Sequence, residues 1–168
     1  ADPRHAQAHI ALIGALLRQR DAEAARTQIP AMRKSVPNLP MLDYLDGLAA
    51  WQRGDLERAR EMTDQLTRRA VPTAQTLLLT GLVQARLGDT AQAEATLSRA
   101  VEAAPQWIDA RREQAALLLK LSQPERALAV LKQALADDPP DAALWAVAGQ
   151  TYTRLGDFRE ADAAFARA

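Results

Sequence analysis

The sequence predicts an all-α chain of stacked helix pairs, and three observations carry that prediction. Alanine returns every 34 residues, at Ala25, Ala59, Ala93, Ala127 and Ala161. Proline keeps the same phase at Pro3, Pro37, Pro105 and Pro139. Between these markers, apolar residues at helical spacing are interrupted by Gly54-Asp55, Gly88-Asp89 and Gly156-Asp157. A fixed repeat of this length describes like units that each rest on their neighbours, so function belongs to the surface that the stack presents.

One unit, Ala74 to Trp107, shows how each element arises. Its first half, AQTLLLTGLVQARLG, has helical apolar spacing and stops at Gly88, a residue suited to the left-handed turn after a helix. The residues Asp89-Thr90-Ala91-Gln92 then offer an acceptor and, three places on, an amide, which predicts a capping box opening a second helix. That helix runs through Ala93, Leu97 and Ala100 to Pro105, whose missing N–H discourages continuation.

Other units vary the same scheme. Ser122-Gln123-Pro124-Glu125 replaces the Gly-Asp turn by a Ser cap with Pro in the first turn. Small residues recur inside the first helices at Gly47, Gly81, Ala115 and Gly149. Because glycine in a helix costs about 1 kcal/mol against alanine, its return predicts close helix-to-helix approach. Three departures stand out: Thr63 and Leu66 with a late Pro72, which predict irregular packing of one second helix; Pro30 inside another, which predicts a kink; and Arg20 in place of a turn glycine, which predicts a looser closure.

Composition narrows the function classes. The chain has 168 residues, with Lys plus Arg at 21 and Asp plus Glu at 21, so no global field draws it to nucleic acid or a membrane surface. It has two tyrosines and two phenylalanines, too few for a base-stacking platform. The absence of cysteine excludes disulfides, thiolate zinc sites and a cysteine nucleophile, and leaves cytosol and periplasm both open. No apolar run approaches the roughly 18 residues that span a bilayer, and the first residues lack the order of a signal peptide. Abundant alanine, with arginine far outnumbering lysine, fits a GC-rich bacterial genome.

Catalytic signatures are missing. His5 and His9 sit i to i+4 and could share a helical face, but no third metal ligand has the spacing to join them. Ser35, Ser98 and Ser122 have no nearby histidine base. There is no GxGxxG and no phosphate loop, and Asp137-Asp138 lies at a repeat end where solvated turn residues are the default. The expectation is a non-enzymatic chain that needs no cofactor and no metal.

These residues resemble the tetratricopeptide repeat. Trp145, Ala148, Gly149, Tyr152, Gly156, Ala161, Phe165 and Ala168 fall on the family's preferred positions in one unit, and Leu77, Thr80, Gly81, Gln84, Gly88, Ala93, Leu97, Ala100 and Pro105 in another. The resemblance implies a right-handed superhelical solenoid of antiparallel helix pairs, with units at 6–39, 40–73, 74–107, 108–141 and a shortened 142–168, and residues 1–5 as the tail of a preceding repeat. The phase of Pro3 and the stop at Ala168 give the expectation of a section from a longer array, with an apolar end around Leu144, Ala148, Tyr152 and Phe165 that self-associates.

In that family the first helices line a concave groove. The resemblance places Met41, Tyr44, Leu48, Trp51 and Gln52 there, followed by Gln75, Leu78, Leu82, Ala85 and Arg86, an apolar and aromatic stretch. Asp109, Arg112, Ala116, Leu119 and Lys120, then Ala143, Ala146, Gln150, Thr153 and Arg154, form a more basic one. One reading is an apolar pocket around Tyr44, Trp51, Leu78 and Leu82 with an anion-holding end at Arg86, Arg112, Lys120 and Arg154, suited to an extended peptide with apolar anchors and an acidic group. The other is that the aromatic and leucines bridge repeats and the cations complement helix dipoles. The Lys and Asn pairs that hold chaperone tails in some relatives are missing, since Ile10 with Gly14 and Tyr44 with Leu48 stand there.

The wording of HAQAHIALIGALLRQRDAEAARTQIPAMRKSVPN and TLLLTGLVQARLGDTAQAEATLSRAVEAAP is also similar to the repeat lipoproteins found beside bacterial exosortase (PEP-CTERM) and exopolysaccharide genes. That resemblance implies an extracytoplasmic scaffold in envelope or polysaccharide-export machinery. The competing expectation is a regulatory segment of a larger cytosolic protein or glycosyltransferase. In either case the expected partner is a protein or peptide, with no nucleic acid and no membrane insertion by this segment.

Overall fold

The computed structural model describes residues 3–69, 71–136 and 139–168. Among the described residues there are ten α-helices and no strand: α1 (Pro3–Arg18), α2 (Ala22–Ser35), α3 (Pro40–Arg53), α4 (Leu56–Arg69), α5 (Ala74–Leu87), α6 (Thr90–Ala103), α7 (Ile108–Lys120), α8 (Pro124–Leu135), α9 (Ala142–Leu155) and α10 (Phe158–Phe165). They form two compact units, residues 1–88 with α1 to α5 and residues 89–168 with α6 to α10. Pro3 opens α1, a position where its missing N–H costs no helix bond.

Four of the helix pairs share one backbone turn. Asp21, Asp55, Gln123 and Asp157 each donate their N–H across six residues, to the carbonyls of Leu16, Ala50, Leu118 and Tyr152, at 2.9 to 3.0 Å. That closure needs a left-handed residue just before the donor. Gly54 and Gly156 supply φ of 79°, as glycine does without steric cost, whereas Arg20 at 62° and Ser122 at 58° are held there with a side chain. The looser closure expected at Arg20 is therefore not found: the six-residue bond is 2.9 Å, the same as at Gly54, and the strain is carried by φ instead.

Side-chain caps complete the starts of α2, α4, α9 and α10, where Asp21, Asp55, Asp141 and Asp157 accept from the N–H three residues on. The capping box expected at Asp89 is absent, because its exposed side chain makes no cap bond and only its carbonyl receives Ala93 N–H. A reciprocal box forms instead at Thr73 and Thr76, ahead of α5. The helix α2 continues through Pro30 to Ser35 as one element, although the Arg26 carbonyl loses its helix donor there. Likewise α4 is unbroken, with Thr63 and Leu66 both buried.

The periodic alanines are the floor of the packing. Ala25 and Ala59 in the first unit are 0 % exposed, as are Ala93 and Ala127 in the second, with Ala161 at 2 %. The core of the first unit gathers Ile13, Leu17, Ile29, Met32, Leu42 and Leu45; that of the second gathers Leu118, Leu131, Leu144, Trp145 and Ala148. Close approach at the small residues is direct. A methyl group at Gly47 would lie 3.1 Å from Met62 Cβ, and one at Gly149 would lie 2.6 Å from the Phe165 ring. Leu144 and Ala148, expected on an open end, are wholly buried, while Phe158 and Phe165 on α10 are the exposed apolar residues of that region.

Buried charge ties α2, α3 and α4 together. Arg33 donates to Asp43 at 2.6 Å and to Asp46 at 3.2 Å; Arg69 completes Asp43 at 3.1 Å and Arg58 completes Asp46 at 2.6 Å.

Candidate functional site

The first unit holds a groove built by first helices. Gly14, Leu17 and Arg18 come from α1 and Arg20 from the turn after it; Tyr44, Leu45, Leu48, Trp51 and Gln52 come from α3; Gln75 comes from α5. It encloses about 490 Å³, and among the described residues no acidic side chain lines it. Helical spacing explains the set, since Tyr44, Leu48 and Trp51 lie four and three residues apart and share one face of α3. The Gln52 amide donates to the Leu17 carbonyl at 3.0 Å and so fixes α3 against the last turn of α1.

The aromatic pair is half-buried, and both residues line the groove. Burial pushes the Tyr44 hydroxyl above its usual pKa of 10.0, so it is a neutral donor at ordinary pH. The Arg86 guanidinium stands 5.6 Å from the Trp51 ring centre, within cation–π reach. Trp51 Nε1 and Gln52 Oε1 are buried with no partner among the described residues, as is Gln84 Oε1 on α5.

The other expected residues divide. Met41 is 43 % exposed but outside the groove lining; Leu78 is buried and Leu82 half-buried, both also outside it. In the second unit Arg112 is engaged by Asp109 at 2.7 Å, Asp141 at 3.1 Å and Glu113 at 3.4 Å, so its charge is already answered. Lys120 and Arg154 instead line a second pocket of about 460 Å³ with Ala116, Leu119, Gln150, Thr153 and Phe165. Among the described residues neither cation is ion-paired and no acid lines that pocket.

Gly14 is among the groove positions expected from the sequence, whereas Leu17, Arg18, Arg20 and Leu45 are not. A signal for Leu17 and Arg18 was present, because they precede Trp51 and Gln52 by one repeat. Arg20 reaches the groove through its left-handed turn, which composition does not reveal. His9 is exposed, while the side chain of His5 and the pair Asp137-Asp138 lie outside the described residues. Among the described residues no three His, Cys, Asp or Glu side chains cluster as metal ligands, and no helix is long and apolar enough to cross a membrane.

An all-α chain of helix pairs with grooves on its first helices belongs to the class of helical repeat proteins. More narrowly, the chain is built of tetratricopeptide repeats: two family models, each described as Tetratricopeptide repeat, match residues 44–106 and 118–168. Solved structures share the fold. TTC0263, a thermophilic TPR protein of Thermus thermophilus, superposes with a TM-score of 0.83 at 22% identity, over 96% of this chain and 89% of that one. YrrB, described as a TPR protein with an unusual peptide-binding site, gives 0.69 at 19% identity, covering 95% and 82% of the two chains. MamA of AMB-1 gives 0.69 at 17% identity, covering 99% and 91%. No curated protein sequence matches the chain.

Proposed function

We propose that this chain is a non-enzymatic interaction scaffold whose first unit holds an extended peptide in the groove of Tyr44, Leu48 and Trp51. The observation that carries the reading is the composition of that groove: two half-buried aromatic side chains beside Leu48, with Arg18 and Arg20 at the rim and no acid among the described residues that line it. Aromatic residues in a partly desolvated pocket supply most of the energy at protein interfaces, and arginines at the rim add charge-assisted bonds to a carboxylate. The favoured ligand is therefore a segment with an apolar or aromatic anchor next to an acidic residue. That YrrB is described as having a peptide-binding site makes the reading consistent with one structural neighbour.

The pocket of Lys120, Arg154 and Phe165 is a second, smaller contact point for an acidic group, and Arg86 supports the Trp51 ring more than it meets ligand. The similarity to exosortase-associated lipoproteins extends the proposal to an assembly of envelope or exopolysaccharide machinery.

The test is a randomised peptide library selected on the purified chain, with affinities of the enriched peptides measured by fluorescence. Enrichment of an apolar anchor beside Asp or Glu is expected, with affinity falling at least about tenfold in Tyr44→Ala and Trp51→Ala and also in Arg20→Glu. Enriched peptides that bind all three variants as well as the parent would reject the groove.

A further inference from the structure

A different cleft of the first unit lies among α2, α3 and the start of α4. It encloses about 510 Å³, within the range of small-molecule sites. Its floor is apolar, from Ile29, Pro30, Ala49 and Ala50, and four guanidiniums stand around it: Arg26, Arg33, Arg53 and Arg58.

These arginines are not equivalent. Arg33 and Arg58 spend their terminal nitrogens on carboxylates, with Asp46 taken by both, Asp43 by Arg33 and Glu61 by Arg58. Arg26 and Arg53 behave otherwise. Each touches an acid only through its Nε, and both Nε atoms meet the same carboxylate, Glu23. Among the described residues the four terminal nitrogens of this pair therefore carry no protein partner, although two guanidiniums are drawn together around one acid.

Charge and shape then select the ligand. The lining acids are Asp46 and Asp55, and Asp55 caps the first turn of α4 at 3.2 Å. Arg33 and Arg58 are already answered by Asp43, Asp46 and Glu61, whereas Arg26 and Arg53 share the single carboxylate of Glu23. A carboxylate would add only what Glu23 already offers. A phosphoryl group brings three terminal oxygens and nearly two charges, enough to engage both arginines through their outward N–H groups. We propose that this cleft binds a small phosphate ester, its phosphoryl group held by Arg26 and Arg53 and its organic part resting on Ile29, Pro30, Ala49 and Ala50. Glu23 is the internal competitor for the same guanidiniums, and its carboxyl is held below the usual range by Arg26 and then Arg53.

The probe is phenyl phosphate, titrated into the intact chain by calorimetry at constant ionic strength, with circular dichroism to confirm that each variant is folded. Saturable binding is expected, weakened about tenfold by Arg26→Gln and by Arg53→Gln, since each removes charge-assisted bonds. Glu23→Gln should tighten binding several-fold by removing the competitor, whereas a purely structural role for this acid gives no gain. Arg99→Gln, at an exposed arginine of α6 that lines none of these pockets, should leave the affinity unchanged. Absence of saturable binding, parental affinity in the two arginine variants, or an equal loss in Arg99→Gln would overturn the proposal.

Discussion

The indole N–H of Trp145 donates to the carbonyl of Pro139 at 2.9 Å, and one repeat earlier the Nε of Arg111 donates to the carbonyl of Pro105 at 2.7 Å. The recurring proline thus ends a helix and also supplies an acceptor for the fourth residue of the next unit. An aromatic ring and a guanidinium meet the same demand at equivalent places. Arg111 carries the larger task, because it also donates to the Val130 carbonyl at 2.9 Å and to the Gln133 amide oxygen.

Replacing Trp145 by phenylalanine keeps most of the apolar contact and deletes the donor. The Pro139 carbonyl keeps the Asp141 N–H at 2.8 Å but loses the indole donor, which costs about 1 kcal/mol. Urea denaturation followed by circular dichroism should show the lower midpoint with an unchanged slope. A midpoint equal to that of the parent would mean that the hydrogen bond contributes nothing net.

The buried carboxylate Asp43 is 1 % exposed and lies between Arg33 and Arg69, so its charge cannot be removed without leaving two guanidiniums short of a partner. Asp43→Asn should destabilise by about 2 kcal/mol, less than a fully enclosed pair because both arginines keep some water. The exposed pair of Glu94 and Arg126 at 2.6 Å is the contrast, and Glu94→Gln should cost under about 1 kcal/mol. Chemical denaturation of the two variants side by side checks the order. A larger loss at Glu94 would contradict the burial argument.

The turn residues invite a paired experiment. Ser122 holds φ of 58° with a side chain, and Gly54 holds 79° without one. Ser122→Gly should raise stability by about 0.5 to 1 kcal/mol, and Gly54→Ala should lower it by about 1 kcal/mol, since no neighbour lies within 4 Å of the added methyl and only backbone strain acts. Thermal melts of both proteins read the signs, and a stabilised Gly54→Ala would refute the account.

These residues also show what was legible in the sequence. The alanine period predicted the buried floor of each pair because a small side chain at a fixed helical position has one use, to let another helix approach. Gly54 and Gly156 predicted their turns for a similar reason. The tight closure at Arg20 was not legible, because its φ is imposed by the bonds around it and any residue can be forced there at a cost. The groove was legible in part. The family resemblance pointed to the first-helix face of Tyr44, Leu48 and Trp51, but not that Leu78 would be enclosed or that Arg112 would be answered by three acids. Those outcomes depend on which long side chains meet across elements, and spacing along the chain does not encode them.

Tyr44 offers a pH test of the groove. Burial raises its hydroxyl pKa in the folded chain above the value of 10.0 that it has when exposed. A raised folded pKa means that stability is complete below pH 10 and is lost as pH climbs through that value toward the folded pKa, because only the unfolded chain then releases the proton freely. Tyr152 is shifted the same way, first by burial and then by Glu160 and Asp157, so it contributes to the same decline. Tyr44→Phe should flatten the fall of unfolding free energy above pH 10 and leave the curve below pH 9 parallel to that of the parent. A bound peptide that covers the ring should move the absorbance titration of Tyr44, followed as the difference from Tyr44→Phe, to still higher pH. A titration unmoved by a saturating peptide would place that peptide elsewhere on the molecule.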